Sequence, residues 1–437
     1  MSTVTSNGSA PMNRRDFLRL AGLGGAFCMT GGFLSACGIA GSGSSNTTGT
    51  NVKIGYVSPR TGPLAVFGEA DGFVIDSVRK VFNQGLQIGS KKYSVDIVVR
   101  DSQSDPRQAA TVTQQLILND KVDLVLAASG PEDTVPVAEQ AEANATPCLT
   151  TIVPYQSFLN DRKGKAFHYA YDFFGNEVQD VQACIQSWDK VATNKVVGVL
   201  WPNDPDGASW RETFTPLLPK SGYTLVDPGT YQDQTNDFTA QISLFKSRDV
   251  EVVDSVPLPP DWTTFWKQAI QQGFRPKVVL VSKALLFPAA VDALGPLGEN
   301  LLTDAFWINT LPYHSTLTGQ SAAQLASDYE NATGKQWTQP LGPVHGIFEV
   351  AAQALKNSGN PGDKEAVVNG ISKVQLNTIA GKVDFTKGPV KDVSTLPIFV
   401  CQWQKGKSKY PYDMVVVSSE AVPELKVESE ILPISYS

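Results

Sequence analysis

The chain has 437 residues, a formal net charge of −7, five cysteines and three histidines. That length exceeds what one hydrophobic core usually supports, so more than one packed unit is expected, and an acidic balance without a basic stripe argues against nucleic acid as a partner. No two cysteines form a CxxC pair, so neither a disulfide framework nor a zinc site is indicated, and no metal or cofactor is expected.

The first segment reads as an address. Asn13-Arg14-Arg15-Asp16-Phe17-Leu18-Arg19 sets twin arginines before an apolar pair, and a weakly hydrophobic, Gly-rich stretch runs from Leu20 to Phe33. This is the pattern of a twin-arginine export signal. As a cytoplasmic helix it would be weakened by up to ~1 kcal/mol at each of Gly22, Gly24, Gly25, Gly31 and Gly32. Leu34-Ser35-Ala36-Cys37-Gly38 resembles the lipobox of bacterial lipoproteins, which implies cleavage before Cys37 and diacylglycerol on its sulfur. Residues 1–36 are then a signal peptide, Cys37 is the lipidated mature N-terminus, and residues 37–51, rich in Gly, Ser, Thr and Asn, are a flexible tether. The expected location is the outer face of the cytoplasmic membrane, held by acyl chains that gain about 0.8 kcal/mol per buried CH₂. No apolar run of the ~20 residues needed to span a bilayer follows Cys37. Without residues 1–36, 33 basic residues face 42 acidic ones.

From Val52 onward, short apolar runs alternate with segments of helical period. Strands are predicted at residues 52–57, 95–99, 122–127 and 147–152. Between them, Val74, Ile75, Val78, Val81 and Phe82 share one helical face, Ala109, Val112, Leu116 and Ile117 share another behind the Asp105-Pro106 cap, and a third helix runs from Pro136 to Asn144. A second series follows: helix 177–190, strand 195–201, helix 210–221, strand 224–227, helix 238–246, strand 250–255, helix 261–272, and strands 277–281 and 303–308. Helices over 322–331, 344–357 and 364–373 suit a return to the first unit, and two strands joined by Lys405-Gly406-Lys407-Ser408 lie between Ile398 and Val417. Strand, helix, strand in this order predicts an α/β fold of two doubly wound parallel-sheet lobes. Lobe 1 is expected over 52–172 and 310–393 and lobe 2 over 173–309 and 394–425, with crossovers near residues 171–175, 307–312 and 391–396 acting as a hinge. Cys148, Cys184 and Cys401 read as buried small hydrophobes, with one bridge among them left open.

In open parallel sheets, ligands bind beyond the carboxyl ends of the strands. That rule points to the loops after Val57, Ala127, Ile152, Trp201, Ser255 and Val281. The segments Ile54-Gly55-Tyr56-Val57 through Gly62-Pro63-Leu64-Ala65-Val66-Phe67-Gly68, Asp101 to Pro106, Val122-Asp123-Leu124-Val125 and Asn236-Asp237-Phe238, taken in this order, resemble the leucine/isoleucine/valine-binding protein family. The resemblance runs from about Val52 to Val417. It implies a type I periplasmic-binding fold, its two lobes joined by three crossovers, and the role of a substrate-binding lipoprotein that hands a small organic ligand (an amino acid, amide or carboxylate) to an ABC permease in the membrane.

The resemblance also implies where the ligand is held. It puts Phe67 where an aromatic lines the pocket and makes Ser129, Gly130, Pro131 and Thr134, then Ile152 and Tyr155, then Asp206, Leu258 and the pair Ser282-Lys283 line the cleft. Free N–H groups around Ser129-Gly130, at a strand-to-helix turn, suit a carboxylate, although Ser129 and Thr134 serve equally as helix caps. Family members that bind α-amino acids set an acid near Ser282-Lys283 to meet the ammonium, and here none is adjacent. An ammonium would need another carboxylate, with Asp206 and Asp261 the first suspects, and the expectation is a ligand without a free α-ammonium. Trp262, Trp266, Phe287 and Tyr155 are candidates for an aromatic wall, or for core.

The chain is not expected to be an enzyme: no GxGxxG follows the first strand, and GxSxG and HExxH are absent. His345 lies in the apolar pattern Val344 to Phe348 and reads as a packing residue. The rival readings are an exported enzyme and a ligand-sensing module of a receptor.

Overall fold

Alternating strands and helices build two seven-stranded sheets, each with its own helical layers. The computed structural model describes residues 51–160 and 162–436. The expected signal segment 1–36, the expected lipidation position Cys37 and residues 38–50 of the expected tether lie outside the described residues, and Asn51, also assigned to the tether, begins the first strand.

The first lobe opens with β1 (Asn51–Ser58), α1 (Asp71–Phe82), β2 (Leu86–Ile88), β3 (Lys91–Asp101), α2 (Pro106–Leu118), β4 (Leu124–Ala128), α3 (Pro131–Ala143), β5 (Cys148–Thr151), α4 (Tyr155–Leu159) and β6 (Ala170–Phe174). The period-3.6 pattern accounts for the helices: α1 buries Val74, Ile75, Val78 and Phe82 on one face. The Asp105 carboxylate caps α2 by accepting from Gln108 N–H at 2.8 Å, with Pro106 at the first helical position.

The second lobe continues with α5 (Glu177–Trp188), β7 (Val196–Leu200), α6 (Pro205–Leu217), β8 (Thr224–Val226), α7 (Thr239–Ser247), β9 (Val252–Ser255), α8 (Pro259–Gln271), β10 (Val278–Val281), α9 (Pro288–Asp292) and β11 (Leu302–Ala305). The chain then returns to the first lobe through α10 (Ala322–Thr333), α11 (Leu341–Ser358), α12 (Lys364–Ile371), the hairpin β12 (Gln375–Thr378) and β13 (Gly381–Asp384), and β14 (Val393–Thr395). It ends in the second lobe with β15 (Phe399–Lys405) and β16 (Tyr412–Ser418).

Strand order is β14-β6-β5-β4-β1-β3-β2 in one sheet and β16-β15-β11-β10-β9-β7-β8 in the other. The first is parallel except for β2 against β3. The second is parallel until β15 and β16 join antiparallel. In both sheets the order reverses beside the first strand of the lobe, between β1 and β4 and between β7 and β9. These are the crevices where open α/β sheets hold ligands.

The chain passes between the sheets three times: after β6, after β11 and after β14. Strand β6, which the sequence reading took as part of a crossover, and β14 both belong to the first sheet. The chain therefore leaves that sheet at residues 174 and 395 rather than 172 and 393. Two crossovers run side by side. A Cβ on Gly175 would lie 2.3 Å from Ile398 Cδ1, so a larger residue there would have to displace the Ile398 side chain. Two helices start earlier than predicted, α3 at Pro131 and α6 at Pro205, each with proline at its first position. Pro136 and Pro216 then fall inside them. Among the described residues, no helix is long and apolar enough to cross a membrane, and Cys148, Cys184 and Cys401 are buried free thiols.

Candidate ligand-binding site

The ends of the strands face one another across a cavity of about 40 Å³ walled by both lobes. The first lobe contributes Phe67, Gly130, Ile152 and Pro154, and Phe174 stands at the first crossover. The second contributes three acids, Asp180, Asp206 and Asp304, the pair Ser282-Lys283, and apolar groups that include Trp210 and Phe306. Ile152 and Lys283 carry φ of 67° and 52°, a region costly for side chains with a Cβ and one often populated at binding sites.

Lys283 is the centre of the polar wall. Its side chain is 4% exposed, and its Nζ lies 2.6 Å from Glu132 Oε1, 2.8 Å from Asp206 Oδ2 and 3.4 Å from Asp204 Oδ2. Burial works against the ammonium, but Asp206, Glu132 and Asp204 outweigh it and hold Lys283 protonated. Burial raises the Glu132 carboxyl to about 7 although Lys283 pulls it down. Glu132, Asp204 and Asp206 each bring one oxygen to within 4.8 Å of the others, an arrangement able to hold a cation, and here the lysine ammonium fills it.

Each acid is set by local structure. Asp204 caps α6, accepting from Gly207 N–H at 2.7 Å, so Asp206 falls in the first turn and turns inward. Glu132 occupies the first turn of α3, and its Oε2 would be 2.7 Å from a Cβ on Gly130, so the carboxylate covers the start of that helix. Ser157 of α4 reaches across from the first lobe, its Oγ 3.2 Å from both Asp206 Oδ1 and Glu177 Oε1. Phe67 meets Phe287 edge-on, with ring centroids 4.8 Å apart, and Phe174 meets Phe306 likewise at 4.7 Å.

Behind Lys283 lies a second group of acids. Asp180 Oδ1 is buried without a hydrogen-bond partner, and burial, then Asp304, Glu177, Asp254 and Asp206, push its carboxyl well up. Burial raises Asp304 to about 6 and Asp254 to about 8, the Trp201 indole N–H opposing the latter rise.

Of the eleven residues singled out in the sequence, six line the cavity: Phe67, Gly130, Ile152, Asp206, Ser282 and Lys283. Ser129, Pro131, Thr134, Tyr155 and Leu258 are not among its lining residues. The hydroxyls expected to meet a carboxylate are spent at the start of α3: Ser129 donates to Asp133 Oδ2 at 3.1 Å and Thr134 to the Gly130 carbonyl at 3.0 Å. Pro131 opens that helix, Leu258 caps α8 and Tyr155 opens α4.

The expectation that Lys283 would repel an ammonium needs correcting, because three carboxylates already hold that lysine and two further acids line the same cavity. Asp261 is not one of them; it accepts from Gln234 N–H. Trp262 and Trp266 stack on each other in the core, with centroids 5.5 Å apart, and the aromatic wall is instead Phe67, Phe174, Trp210 and Phe306. His345 is buried away from the cavity with Nε2 2.7 Å from Ser315 Oγ, and burial lowers it to about 4.

Of the residues missed, Asp304 is the penultimate residue of β11 (Leu302–Ala305), near its carboxyl end, whereas the predicted strand 303–308 puts it near the start. Glu177, Asp180 and Cys184 follow a helical period on the buried face of α5, which shows that this face is acidic where it meets the cleft.

Residues 51–408 match the family described as periplasmic binding protein. The chain belongs to this family. Among curated relatives, the Leu/Ile/Val-binding protein homolog 3 of Brucella melitensis biotype 1 is 22% identical over 394 residues, 87% of this chain and 96% of that protein. Among solved structures, the leucine binding protein LivK of Thermotoga maritima superposes with a TM-score of 0.71 at 18% identity, covering 84% of this chain and 99% of that one. A solute binding protein of an ABC transporter from R. palustris, in complex with 4-hydroxybenzoate, superposes at 0.69 with 17% identity over 84% and 96%. This periplasmic binding protein thus has the type I fold, and its cavity lies where the strand-order reversals of the two lobes face each other.

Proposed function

We propose that the protein is the extracytoplasmic solute-binding component of an ABC importer, capturing a small organic molecule between its lobes and delivering it to the membrane permease. The observation that carries this reading is a cavity with walls from both lobes and an ion pair, Lys283 to Glu132, at their junction. A molecule held there touches both lobes and favours their closed arrangement over an open one, which is the differential affinity a capture-and-release cycle needs. The twin-arginine segment and Cys37 support export followed by anchoring through lipid at the outer face of the cytoplasmic membrane. The three crossovers supply a hinge, because few residues need absorb the dihedral change when two rigid bodies close.

Relatives named for branched-chain amino acids and one holding 4-hydroxybenzoate share the fold, so the fold leaves the ligand class to the pocket. The test is a thermal-shift screen over amino acids, amides, polyamines, carboxylates and aromatic acids, followed by solution scattering. A ligand that raises the melting temperature, lowers the radius of gyration and is recovered unchanged supports the proposal. A ligand recovered as a different compound supports an exported enzyme instead.

A further inference from the structure

We infer that the cavity selects a ligand bearing a cationic amine and no carboxylate. The inference rests on the solute-capture reading above and gives that ligand a charge. Three observations carry it.

The first is an acid without a partner. Asp180 is 3% exposed, lines the cavity, and keeps Oδ1 free of any hydrogen bond. A buried carboxylate oxygen in that state costs free energy until a donor arrives. Asp206 and Asp304 line the same space, and the one cation among the described lining residues, Lys283, is shared by Glu132, Asp204 and Asp206. An incoming ammonium would bring the Asp180 oxygen the donor it lacks, with Asp206 and Asp304 beside it.

The second is the loss of the usual means of holding a carboxylate. The Ser129 and Thr134 hydroxyls donate to Asp133 and to the Gly130 carbonyl at the start of α3. The start of α3, where free N–H groups would attract an anion, is overlaid by the Glu132 carboxylate. The Ser282 hydroxyl favours the charged form of Asp304, and one neutral hydroxyl does not balance a ligand carboxylate amid these acids.

The third is the apolar wall. Phe67, Phe174, Trp210 and Phe306 surround the acids, and aromatic faces beside carboxylates attract alkylammonium groups through the ring quadrupole. The cavity of about 40 Å³ has room for about three waters, so the lobes must part for a ligand to enter before they close on it.

Three probes with one apolar body separate the charges: 3-methylbutylamine, leucine and 4-methylpentanoate, titrated calorimetrically into the mature protein, with choline as a bulkier cation. The expected result is that the amine binds about tenfold or more tighter than both leucine and the acid. Asp180→Asn and Asp304→Asn should each remove about tenfold or more of the amine's affinity, with unchanged circular dichroism showing that the variants are folded. Leucine or 4-methylpentanoate binding as tightly as the amine overturns the charge assignment and leaves solute capture standing. Failure of both amines to bind overturns it as well, and the broader screen then decides separately on solute capture.

Discussion

Lys283 Nζ lies 2.6 Å from Glu132 Oε1 and joins the second lobe to the first at the edge of the cavity. Both side chains are largely buried, but their remaining partners are unequal: Lys283 keeps Asp206 and Asp204 within its own lobe, and Glu132 Oε2 has no hydrogen bond. The pair therefore contributes to lobe closure more than to the folding of either lobe.

Two substitutions separate these contributions. Glu132→Gln removes the tie and leaves Lys283 paired, so the ligand-free protein should show a larger radius of gyration in scattering with little change in unfolding free energy. Lys283→Met leaves three carboxylates facing one another and should cost about 3 kcal/mol or more, the typical cost of breaking a buried pair. The carboxyls escape part of this by binding protons. Glu132 and Asp206, which burial already raises, then rise further above the unfolded values near 4, so the folded state holds more protons and the deficit shrinks as pH falls. Urea unfolding at pH 5 and pH 8 checks the sign, and an equal deficit at both would show that the carboxylates do not depend on Lys283.

At the N-terminus, the order Leu34-Ser35-Ala36-Cys37 predicts that Cys37→Ala releases the protein from membranes or blocks processing at this position. Fractionation and N-terminal sequencing read the outcome. Unchanged membrane retention with identical processing would remove the lipid anchor from the proposed function.

The two-lobe architecture was legible because hydrophobic period and strand-end logic are local signals. Residues 52–57 and 278–281 are nearly all apolar, and the helices between strands repeat at 3.6. The short elements were not legible. Strand β6 reads Ala-Tyr-Asp-Phe-Phe, without alternation or β-branched residues, and is a strand because β5 and β14 pair with it on either side. Helix α4 has five residues, too few to show a period.

The site was half legible for a related reason. Gly130, Ser282 and Lys283 lie in strand-end loops, where position suggests function. The charge balance of the pocket, by contrast, is a tertiary property: Glu132 and Lys283 are 151 residues apart. Asp180 is contributed by a helix whose inner face looked merely amphipathic. Judging Lys283 by its sequence neighbours alone left out Glu132, Asp204 and Asp206, the acids that the fold brings to it.

The last prediction concerns Asp254, which lies beneath the cavity on β9 and is fully buried. Its Oδ2 lies 3.4 Å from the Trp201 Nε1 donor, and Cys184 Sγ is 3.9 Å from Oδ1. Asp180 on α5 and Asp304 on β11 also face this group, and neither compensates its charge. Burial raises its carboxyl to about 8, against an unfolded value near 4. With the folded pKa above the unfolded one, the stabilisation is complete below about pH 4 and is lost as pH rises through about 8. Asp254→Asn keeps the shape and an acceptor for Trp201 but has no proton to lose. The wild-type melting temperature should therefore fall more steeply between pH 6 and pH 9 than that of the variant, with the variant the more stable of the two at pH 9. Parallel pH profiles would mean that Asp254 does not titrate in this range, and the steepness would then have to come from Asp180 or from Glu177, which burial raises to about 7.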